Sequence, residues 1–325
     1  MAWRPEGATI LVTGAQGFIG SWVAERLLDE GARVVVPRRD VDPEERFVSE
    51  GIEARCVGAL ADVVDYESIL RLLNEHEVTA VFHLAAQAIV GTANRSPLST
   101  WEANVRGSYV VLEACRVQGG IERIVVASSD KAYGDHDELP YREDFALRPR
   151  YPYDVSKAAT DMIARSYATT YDMPVAVSRL ANVYGPGDLG WSRIVPDTAR
   201  ALVAGRRPVI RSDGTPERDY LYVGDAVSAY LAIAASLDRP ELRGRAWNVG
   251  HGTPVAVREL VERMTAVAGL DLEPEVRGEG TPHGEIDRQY LDSSAIREEL
   301  GWAPEWELDR GLEAAYRWYE RRLRG

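Results

Sequence analysis

Short apolar runs alternate with amphipathic stretches over residues 9–183, and this alternation constrains the fold more than any other feature of the chain. The apolar runs have the length of buried strands, whereas the stretches between them carry apolar residues three and four positions apart, as helices do. Strands that alternate with helices form a parallel sheet with crossover helices on its faces. We therefore predict an α/β fold with a doubly wound parallel sheet. The predicted strands are residues 9–12, 33–36, 53–57, 80–84, 123–127 and 175–179, and the predicted helices are residues 21–30, 67–75, 98–118 and 155–171.

A glycine-rich turn, Thr-Gly-Ala-Gln-Gly-Phe-Ile-Gly, lies between the first predicted strand and the first predicted helix. Gly14 permits a tight turn, Gly17 lets backbone amides approach a pyrophosphate, and Gly20 allows close packing of the helix. Phe18 and Ile19 precede the last of these glycines, where the N-terminus of the helix favours negative charge. The turn therefore predicts a dinucleotide site on a Rossmann sheet, with a ligand-free glycine turn as the alternative.

The residues after the second predicted strand leave the choice between two nicotinamide cofactors open. An acid at this point favours the free ribose of NAD, whereas an arginine suits the 2′-phosphate of NADP. Arg38 stands where the acid is expected, yet Asp40 lies within one short turn. These residues alone support NAD and NADP almost equally. Arg38 and Arg39 can also be interpreted as solvated loop charges.

The pattern changes after residue 184, where a Gly-Pro-Gly run punctuates shorter elements and aromatic residues cluster over residues 302–319. Residues 222–237 and 246–250 again have the pattern of a helix and a strand, and we expect them to rejoin the sheet. The predicted division is a dinucleotide-binding domain over residues 1–184, rejoined by about 222–250, and a smaller α/β C-terminal substrate-binding lobe over residues 185–221 and 251–325.

Composition excludes several classes of function. The net charge of -13 disfavours nucleic acid and anionic membrane surfaces, and no run approaches the ~20 apolar residues of a membrane span. Cys56 and Cys115 lack the spacing of a metal site or of a disulfide scaffold. The first residues lack the apolar region of a signal peptide. We therefore expect no nucleic acid, no membrane, no metal and a cytoplasmic localisation.

Tyr153 and Lys157 are four residues apart at the start of a predicted helix, so their side chains lie on one face. A free tyrosine has a pKa of about 10 and is a poor base at neutral pH. Because a nearby ammonium favours the phenolate, we expect Lys157 to lower the pKa of Tyr153. This spacing is common by chance, but after such a glycine turn it indicates a catalytic pair for oxidation of an alcohol.

The predicted strand 123–127 is followed by the polar run Ser-Ser-Asp-Lys. Because ligands of open α/β sheets bind beyond the carboxyl ends of the strands, this run is expected to face the reaction site. Ser129 can hydrogen-bond the hydroxyl that is oxidised, while Asp130 and Lys131 offer an acid and a base on one short loop. The alternative is a capping turn with solvated charges.

Further motifs extend over nearly the whole chain. They are residues 13–20, Asp62, Val63, residues 83–87, Asn104, Tyr153, Lys157, Arg179, residues 182–186, residues 218–220 and residues 300–302. In these motifs the chain resembles an extended short-chain dehydrogenase of the nucleotide-sugar epimerase and dehydratase group.

The resemblance implies a role for each matching residue. Asp62 and Val63 would meet the adenine, and Asn182 and Arg218 would bind the pyrophosphate of a nucleotide-linked hexose. The remaining implied contacts are Leu84, Ala85, Ala86 and Asn104 with the cofactor, where the two alanines meet the nicotinamide ribose, and Gln87, Ser129, Arg193, Ile194 and Val195 with the substrate. The resemblance also implies NAD as the cofactor and a homodimer formed through the predicted helices 98–118 and 155–171.

Within the group, the run Ser129-Asp130-Lys131 is similar to that of CDP-glucose 4,6-dehydratases, and residues 191–197 strengthen this likeness. The implied chemistry is a lyase reaction with an internal redox cycle. Tyr153 would remove the C4 hydroxyl proton as hydride leaves C4, Lys131 would take the C5 proton, and Asp130 would protonate the departing C6 hydroxyl. Return of the hydride to C6 would give a 4-keto-6-deoxy sugar nucleotide.

Two other functions stay open. A nucleotide-sugar 4-epimerase needs only Ser129, Tyr153, Lys157 and the cofactor, and a non-catalytic nucleotide-binding protein could keep the same fold. Residues 218–222, Arg-Asp-Tyr-Leu-Tyr, match the general epimerase and dehydratase pattern more than the CDP-glucose subgroup, so the nucleotide base is also open.

Overall fold

The computed structural model describes residues 3–278 and 286–324, so residues 1–2, 279–285 and 325 of the two predicted lobes lie outside the described residues. The strands are β1 (Thr9–Thr13), β2 (Arg33–Arg38), β3 (Val57–Leu60), β4 (Ala80–His83), β5 (Arg123–Ser129), β6 (Val175–Leu180), β7 (Asn182–Tyr184), β8 (Val209–Ile210), β9 (Glu217–Tyr222), β10 (Ala246–Val249), β11 (Pro254–Ala256), β12 (Glu275–Val276) and β13 (Arg288–Gln289). The helices are α1 (Phe18–Asp29), α2 (Arg46–Ser49), α3 (Tyr66–Glu75), α4 (Val90–Arg95), α5 (Pro97–Trp101), α6 (Gly107–Gln118), α7 (Pro152–Tyr171), α8 (Ile194–Val203), α9 (Val223–Ser236), α10 (Val257–Val267), α11 (Ser294–Leu300) and α12 (Leu308–Arg324).

Seven of these strands form one parallel sheet in the order β10-β6-β5-β4-β1-β2-β3. Along β1, Ile10 and Val12 enter one apolar core and Leu11 enters the other, because successive side chains point to opposite faces. With both faces covered, the central strands are continuous apolar runs, which is how they are recognised in the sequence. The predicted doubly wound parallel sheet is confirmed.

The order in which successive strands are added to the sheet changes direction at β1. Strands β2 and β3 lie on one side of it, and β4, β5, β6 and β10 lie on the other. Open α/β sheets bind their ligands at such a switch point, beyond the carboxyl ends of the strands. The segments that follow β1, β4 and β5 therefore border the crevice in which a ligand is expected.

The predicted strand 53–57 is wrong. Residues Glu53–Arg55 form a 3₁₀ turn, and the strand begins at Val57. Glu53 turns toward Arg38 on β2 and pairs with it, whereas Val57 and Ala59 supply the inward positions of this edge strand. Strand bounds predicted from apolar residues alone are least accurate for a half-exposed edge strand such as β3.

The predicted helix 98–118 is interrupted. A π-helical turn at Glu102–Arg106 separates α5 from α6. Such turns insert an extra residue, change the direction of side chains and concentrate at functional sites. Here the turn includes Asn104, which is 1% exposed and hydrogen-bonded to Gln87 and Ser156.

A second layer lies above the carboxyl edge of the sheet. Strand β9 pairs with β7, β11 and β13, and β8 pairs with β12. Tyr184, Tyr222, Leu312 and Tyr319 are among the buried side chains of its apolar core. Strand β10 pairs with β6 as expected for residues 246–250, while the division of the chain into two lobes stays a prediction.

Across the described residues, no helix is both long and apolar enough to cross a membrane. In the same part of the chain, no group of three or more His, Cys, Asp or Glu side chains is placed to hold a metal ion. Cys56 and Cys115 are free thiols, and burial raises the pKa of Cys56 to about 11.

Candidate active site

The glycine turn between β1 and α1 has the geometry of an anion cradle. Gly14 has a φ of 74°, and a Cβ on Gly20 would lie 2.0 Å from the carbonyl oxygen of Gly14, so neither position accepts a side chain. Among the described residues, a Cβ on Gly17 would meet only that same oxygen, at 3.4 Å, so they leave the space above Gly17 open. Helix α1 begins at Phe18 without a side-chain cap or an acid in its first turn. These features fit the pyrophosphate of a dinucleotide.

The segment after β4 lies against this turn. A Cβ on Gly14 would lie 2.7 Å from the backbone nitrogen of Ala85, so the two backbones touch. The backbone N–H groups of Leu84 and Ala85 both donate to Thr13 Oγ1 at 3.2 Å. His83 Nδ1 lies 2.8 Å from the same oxygen, and burial lowers the pKa of His83 to about 3, so this histidine is a neutral support.

Asn104 joins three elements around the crevice. Its Oδ1 accepts the backbone N–H of Gln87 at 2.7 Å, and its Nδ2 donates to the carbonyl of Gln87 at 3.2 Å and to Ser156 Oγ at 2.8 Å. The segment with Ala86 and Gln87 is thereby tied to α7. Because its amide is fully engaged with protein groups, Asn104 holds the walls of the crevice in place.

Arg38, Asp62 and Val63 lie near the edge of the sheet beyond β2 and β3. Arg38 Nη1 pairs with Glu53 Oε1, and a Cβ on Gly58 would lie 3.2 Å from Arg38 Nε. Asp62 Oδ1 accepts the backbone N–H of Val64 at 3.2 Å, and the side chain of Val63 packs against the backbone of α6. The guanidinium of Arg38 is therefore already held by a carboxylate.

The polar run Ser-Ser-Asp-Lys, whose two serines end β5, places a buried acid beside a serine. Ser129 Oγ lies 2.9 Å from Asp130 Oδ1 and accepts the backbone N–H of Lys131 at 3.2 Å. Asp130 is 2% exposed, and its second carboxyl oxygen has no hydrogen-bond partner among the described residues. Burial raises the pKa of Asp130, while the charge of Lys131 and the Ser129 hydrogen bond lower it less. This favours the protonated carboxyl, which can donate a proton.

Tyr153 and Lys157 lie one turn apart on α7, and both are buried. The expectation that Lys157 lowers the pKa of Tyr153 is not met: burial raises that pKa to about 12, and the charge that opposes this most is Arg193. Lys157 Nζ donates to the carbonyl oxygen of Ala127 at 2.8 Å, and burial lowers the pKa of Lys157 to about 8. The helix spacing was predicted, but the desolvation of both groups depends on the tertiary structure.

Asn182 and Arg218 are brought together by the second layer. Asn182 on β7 is paired with Tyr220 on β9, two residues after Arg218. The Nδ2 of Asn182 is buried and has no hydrogen-bond partner in the described part of the chain, so a donor is available to a ligand. The charge of Arg218 lowers the pKa of Asp130, which places this guanidinium near the polar run after β5.

The three other residues assigned to the substrate lie where α8 begins. Arg193 precedes the helix, and its Nη1 donates to Asp188 Oδ1 at 2.8 Å. Val195 is buried in the apolar core of the second layer, and Ile194 packs against that core. Of this group, Arg193 is the residue whose charge lowers the pKa of Tyr153.

Two carboxyl groups near these residues were not singled out from the sequence. Asp188 is 2% exposed and orients Arg193; nothing in its loop sequence marks it. Asp154 is 4% exposed, and burial raises its pKa to about 6. Its place directly after Tyr153 was the available signal.

Comparison with known proteins decides the family. The model of the NAD dependent epimerase/dehydratase family matches residues 10–250, which is more than half of the chain. The chain belongs to this family. The predicted resemblance and the predicted cofactor, NAD, are both confirmed.

Relatives in the family carry out both of the activities considered above. The chain is 33% identical to the UDP-glucose 4-epimerase of Mycolicibacterium smegmatis over 93% of this chain and 95% of that protein. It is 28% identical to the CDP-glucose 4,6-dehydratase of Salmonella typhimurium over 98% and 92%. A dTDP-glucose 4,6-dehydratase from Streptomyces venezuelae, solved with NAD and TYD bound, superposes with a TM-score of 0.86 at 27% identity and covers 96% of this chain and 97% of that one. The comparisons thus establish the family, and the relatives named here include both 4-epimerases and 4,6-dehydratases.

Proposed function

We propose that the protein is a nucleotide-sugar 4,6-dehydratase, which converts a nucleotide-linked hexose into a 4-keto-6-deoxy sugar nucleotide and water. The observation that carries this proposal is Asp130, a buried carboxyl next to Lys131 with one oxygen that has no hydrogen-bond partner within the described part of the chain. Burial favours its protonated form, and elimination of the C6 hydroxyl needs a proton donor. Epimerisation at C4 has no leaving group and needs no such acid.

The use of lysine in this chain supports a proton-transfer role for Lys131. The sequence contains two lysines among its 38 Lys and Arg residues, Lys131 and Lys157, and both belong to the candidate active site. Arginine supplies positive charge elsewhere in the chain but cannot give up its proton in proteins. A lysine can lose its proton and act as a base, so its retention at this position favours acid–base chemistry over simple charge.

The proposed roles belong to residues at the start of α7 and at the end of β5. NAD, when bound, accepts and returns a hydride. Tyr153 removes the proton of the C4 hydroxyl, which Ser129 positions by a hydrogen bond. This role needs the phenolate of Tyr153, which the charge of Arg193 favours against the effect of burial. Lys131 takes the C5 proton, and Asp130 protonates the C6 hydroxyl as it departs. Lys157 anchors the site through the carbonyl of Ala127.

The phosphates of the substrate are assigned to the donors at the second layer. Arg218 supplies positive charge, and the buried Nδ2 of Asn182, which has no hydrogen-bond partner among the described residues, supplies a donor close to the acid–base groups. Arg193 lies nearby but adds less charge, because its guanidinium is already paired with Asp188. Guanidinium groups suit phosphate recognition because they donate in a fixed fork. Relatives with UDP-, dTDP- and CDP-linked substrates leave the nucleotide base open.

A 4-epimerase is the second candidate, and the 33% identity to a UDP-glucose 4-epimerase favours it. It would use Ser129, Tyr153 and Lys157 in the same way and leave Asp130 and Lys131 without a chemical role.

Incubation with CDP-, dTDP-, GDP- and UDP-hexoses tests the proposal. We expect a 4-keto-6-deoxy product from at least one of them, detected by mass spectrometry as loss of water. Lys131→Ala should reduce the elimination rate about 10²–10⁴-fold, the usual contribution of a general base. A C4 epimer formed at equal rates by the wild type and Lys131→Ala, with no loss of water, would contradict the dehydratase and establish the epimerase.

A further inference from the structure

His83, the last residue of β4, lies between the glycine turn and the helices on one side of the sheet. Its Nδ1 lies 2.8 Å from Thr13 Oγ1, and its Nε2 lies 3.0 Å from Ser108 Oγ on α6. All three side chains are buried. Each nitrogen of the ring therefore has a hydroxyl partner, and the two partners lie on opposite sides of it.

The hydrogen bonds of Thr13 determine which nitrogen of His83 carries the proton. A threonine hydroxyl has one donor and two acceptor sites. Thr13 Oγ1 accepts the backbone N–H groups of Leu84 and Ala85, each at 3.2 Å, so both acceptor sites are used. Its own proton is then donated to Nδ1 of His83, which is unprotonated. Burial, with a smaller effect from the charge of Lys157, lowers the pKa of His83 to about 3, so the ring is neutral and its one proton is on Nε2.

The Nε2 side of the ring leads to the π-helical turn at Asn104. Nε2–H donates to Ser108 Oγ, and the hydroxyl of Ser108 donates to the carbonyl oxygen of Asn104 at 2.5 Å. The hydroxyl of Thr160 on α7 donates to the same carbonyl at 2.9 Å. The side chain of Asn104 accepts the backbone N–H of Gln87 at 2.7 Å and donates to its carbonyl at 3.2 Å. His83 is therefore connected to Gln87 through Ser108 and Asn104.

Both sides of the ring act on one segment, residues 84–87, which follows β4 and borders the crevice. Thr13 holds the first two residues of this segment, and Asn104 holds the last. A backbone that is fixed at both ends is already ordered before a ligand binds, and this reduces the entropy lost on binding. The same segment contains Ala85 and Ala86, which the family resemblance assigns to the nicotinamide ribose.

We propose that His83, as the Nε2–H tautomer, is a positioning residue for the NAD site and holds both ends of segment 84–87 through Thr13 and Ser108. A neutral imidazole offers an acceptor and a donor on opposite sides of one rigid ring, which is what these two hydroxyls require. The inference concerns cofactor binding, so it applies to a dehydratase and to an epimerase alike.

The tautomer can be measured directly. With histidine labelled at its ring nitrogens, NMR of the full chain reports five histidines. His83→Leu assigns the His83 signals, and Thr13→Val assigns them if that variant does not fold. We expect a protonated Nε2 and an unprotonated Nδ1 that do not change between about pH 5 and pH 8, because the pKa of His83 is about 3. A protonated Nδ1, or an imidazolium in this range, would overturn the inference.

Titration calorimetry with NAD tests the positioning role. His83→Leu removes both the acceptor and the donor and should raise the Kd for NAD about tenfold or more, because buried hydrogen-bonding groups lose their partners. Thr13→Val keeps the branched shape without the hydroxyl and should also raise the Kd. Since the two changes break the same contact, the double variant should raise the Kd by much less than the product of the two separate factors.

His76→Leu is the matched control for the binding measurement. His76 follows α3 and lies beside Arg33 at the amino end of β2, so it is at the other end of the strands from the crevice. This variant should bind NAD as the wild type does. Wild-type affinity in Thr13→Val, or factors that multiply in the double variant, would overturn the inference, and Thr13→Val decides if His83→Leu does not fold. A wild type that binds NAD but converts no sugar nucleotide would refute the proposed function alone.

Discussion

A single ion pair bears on the choice of cofactor. By its position in the sequence, Arg38 favours NADP. In the structure, however, its guanidinium forms an ion pair with Glu53. A guanidinium that already binds a carboxylate attracts a 2′-phosphate less, because its charge is compensated and its donors are used. The pair thus reconciles Arg38 with the NAD dependence of the family.

Releasing Arg38 should shift the cofactor preference. Glu53→Gln is expected to raise the affinity for NADP relative to NAD by up to about fivefold, since both partners are partly exposed and such pairs contribute about 0–1 kcal/mol. Titration calorimetry with both cofactors measures the ratio. The double variant with Arg38→Ala should abolish the change, and an unchanged ratio in Glu53→Gln would contradict this explanation.

Local chemistry made some site residues predictable and left others hidden. Gly14 and Gly20 were identified because their backbone requirements follow from adjacent residues in a strand-turn-helix context. Tyr153 and Lys157 were singled out as candidates by their helical spacing after the glycine turn. The Glu53 partner of Arg38 and the raised pKa of Tyr153 depend on groups distant in the chain or on burial, and neither has a local signature.

At the scale of elements, a buried ion pair ties α7 to β6, and its arginine continues to the turn after β5. Asp161 on α7 accepts two hydrogen bonds from Arg179 on β6, at 2.8 and 3.1 Å, and both side chains are at most 1% exposed. Arg179 continues to Tyr133, whose hydroxyl donates to Asn248 on β10 at 2.7 Å. These contacts fix the position of the helix that carries Tyr153 relative to the turn that carries Asp130.

Breaking this pair should destabilise the protein strongly. Asp161→Asn leaves the guanidinium of Arg179 buried and uncompensated, for which a loss of about 3–5 kcal/mol in the free energy of unfolding is expected. Urea denaturation measures it. Glu75→Gln, in the exposed pair with Arg71, is the control and should change stability by less than about 1 kcal/mol. Equal effects of the two changes would contradict a structural role for the buried pair.

Helices and strands were predicted well where buried residues recur with a regular period. They were predicted poorly where a turn forms because one of its residues makes a tertiary contact. The buried strands and α7 follow apolar periodicity. The interruption between α5 and α6 does not, because the sequence there continues a helical pattern while Asn104 is drawn toward Gln87 and Ser156 by tertiary hydrogen bonds. The 3₁₀ turn before β3 is similar, since Glu53 is directed toward Arg38.

At the scale of the whole molecule, α5, α6 and α7 present an exposed apolar face. On α7, Val155 and Met162 are seven residues apart and therefore lie on the same side of the helix. Met162 is 62% exposed, and Leu98 and Trp101 on α5 and Tyr109 on α6 are exposed too. Several large apolar side chains exposed on neighbouring helices favour an interface, and they lie on the two helical segments from which the sequence resemblance implied a homodimer.

We propose that this face forms the homodimer, most simply about a twofold axis that pairs it with the same face of a second copy. Met162→Glu places a charge on the face and should convert the dimer to a monomer, as measured by size-exclusion chromatography with light scattering at matched protein concentrations. Leu60→Glu is the matched control: Leu60 is 83% exposed but lies on the edge strand β3, away from these helices, so this variant should stay dimeric. A wild type that is monomeric at all concentrations would reject the proposed interface. Dissociation by Leu60→Glu alone would instead place the interface at the edge strand β3.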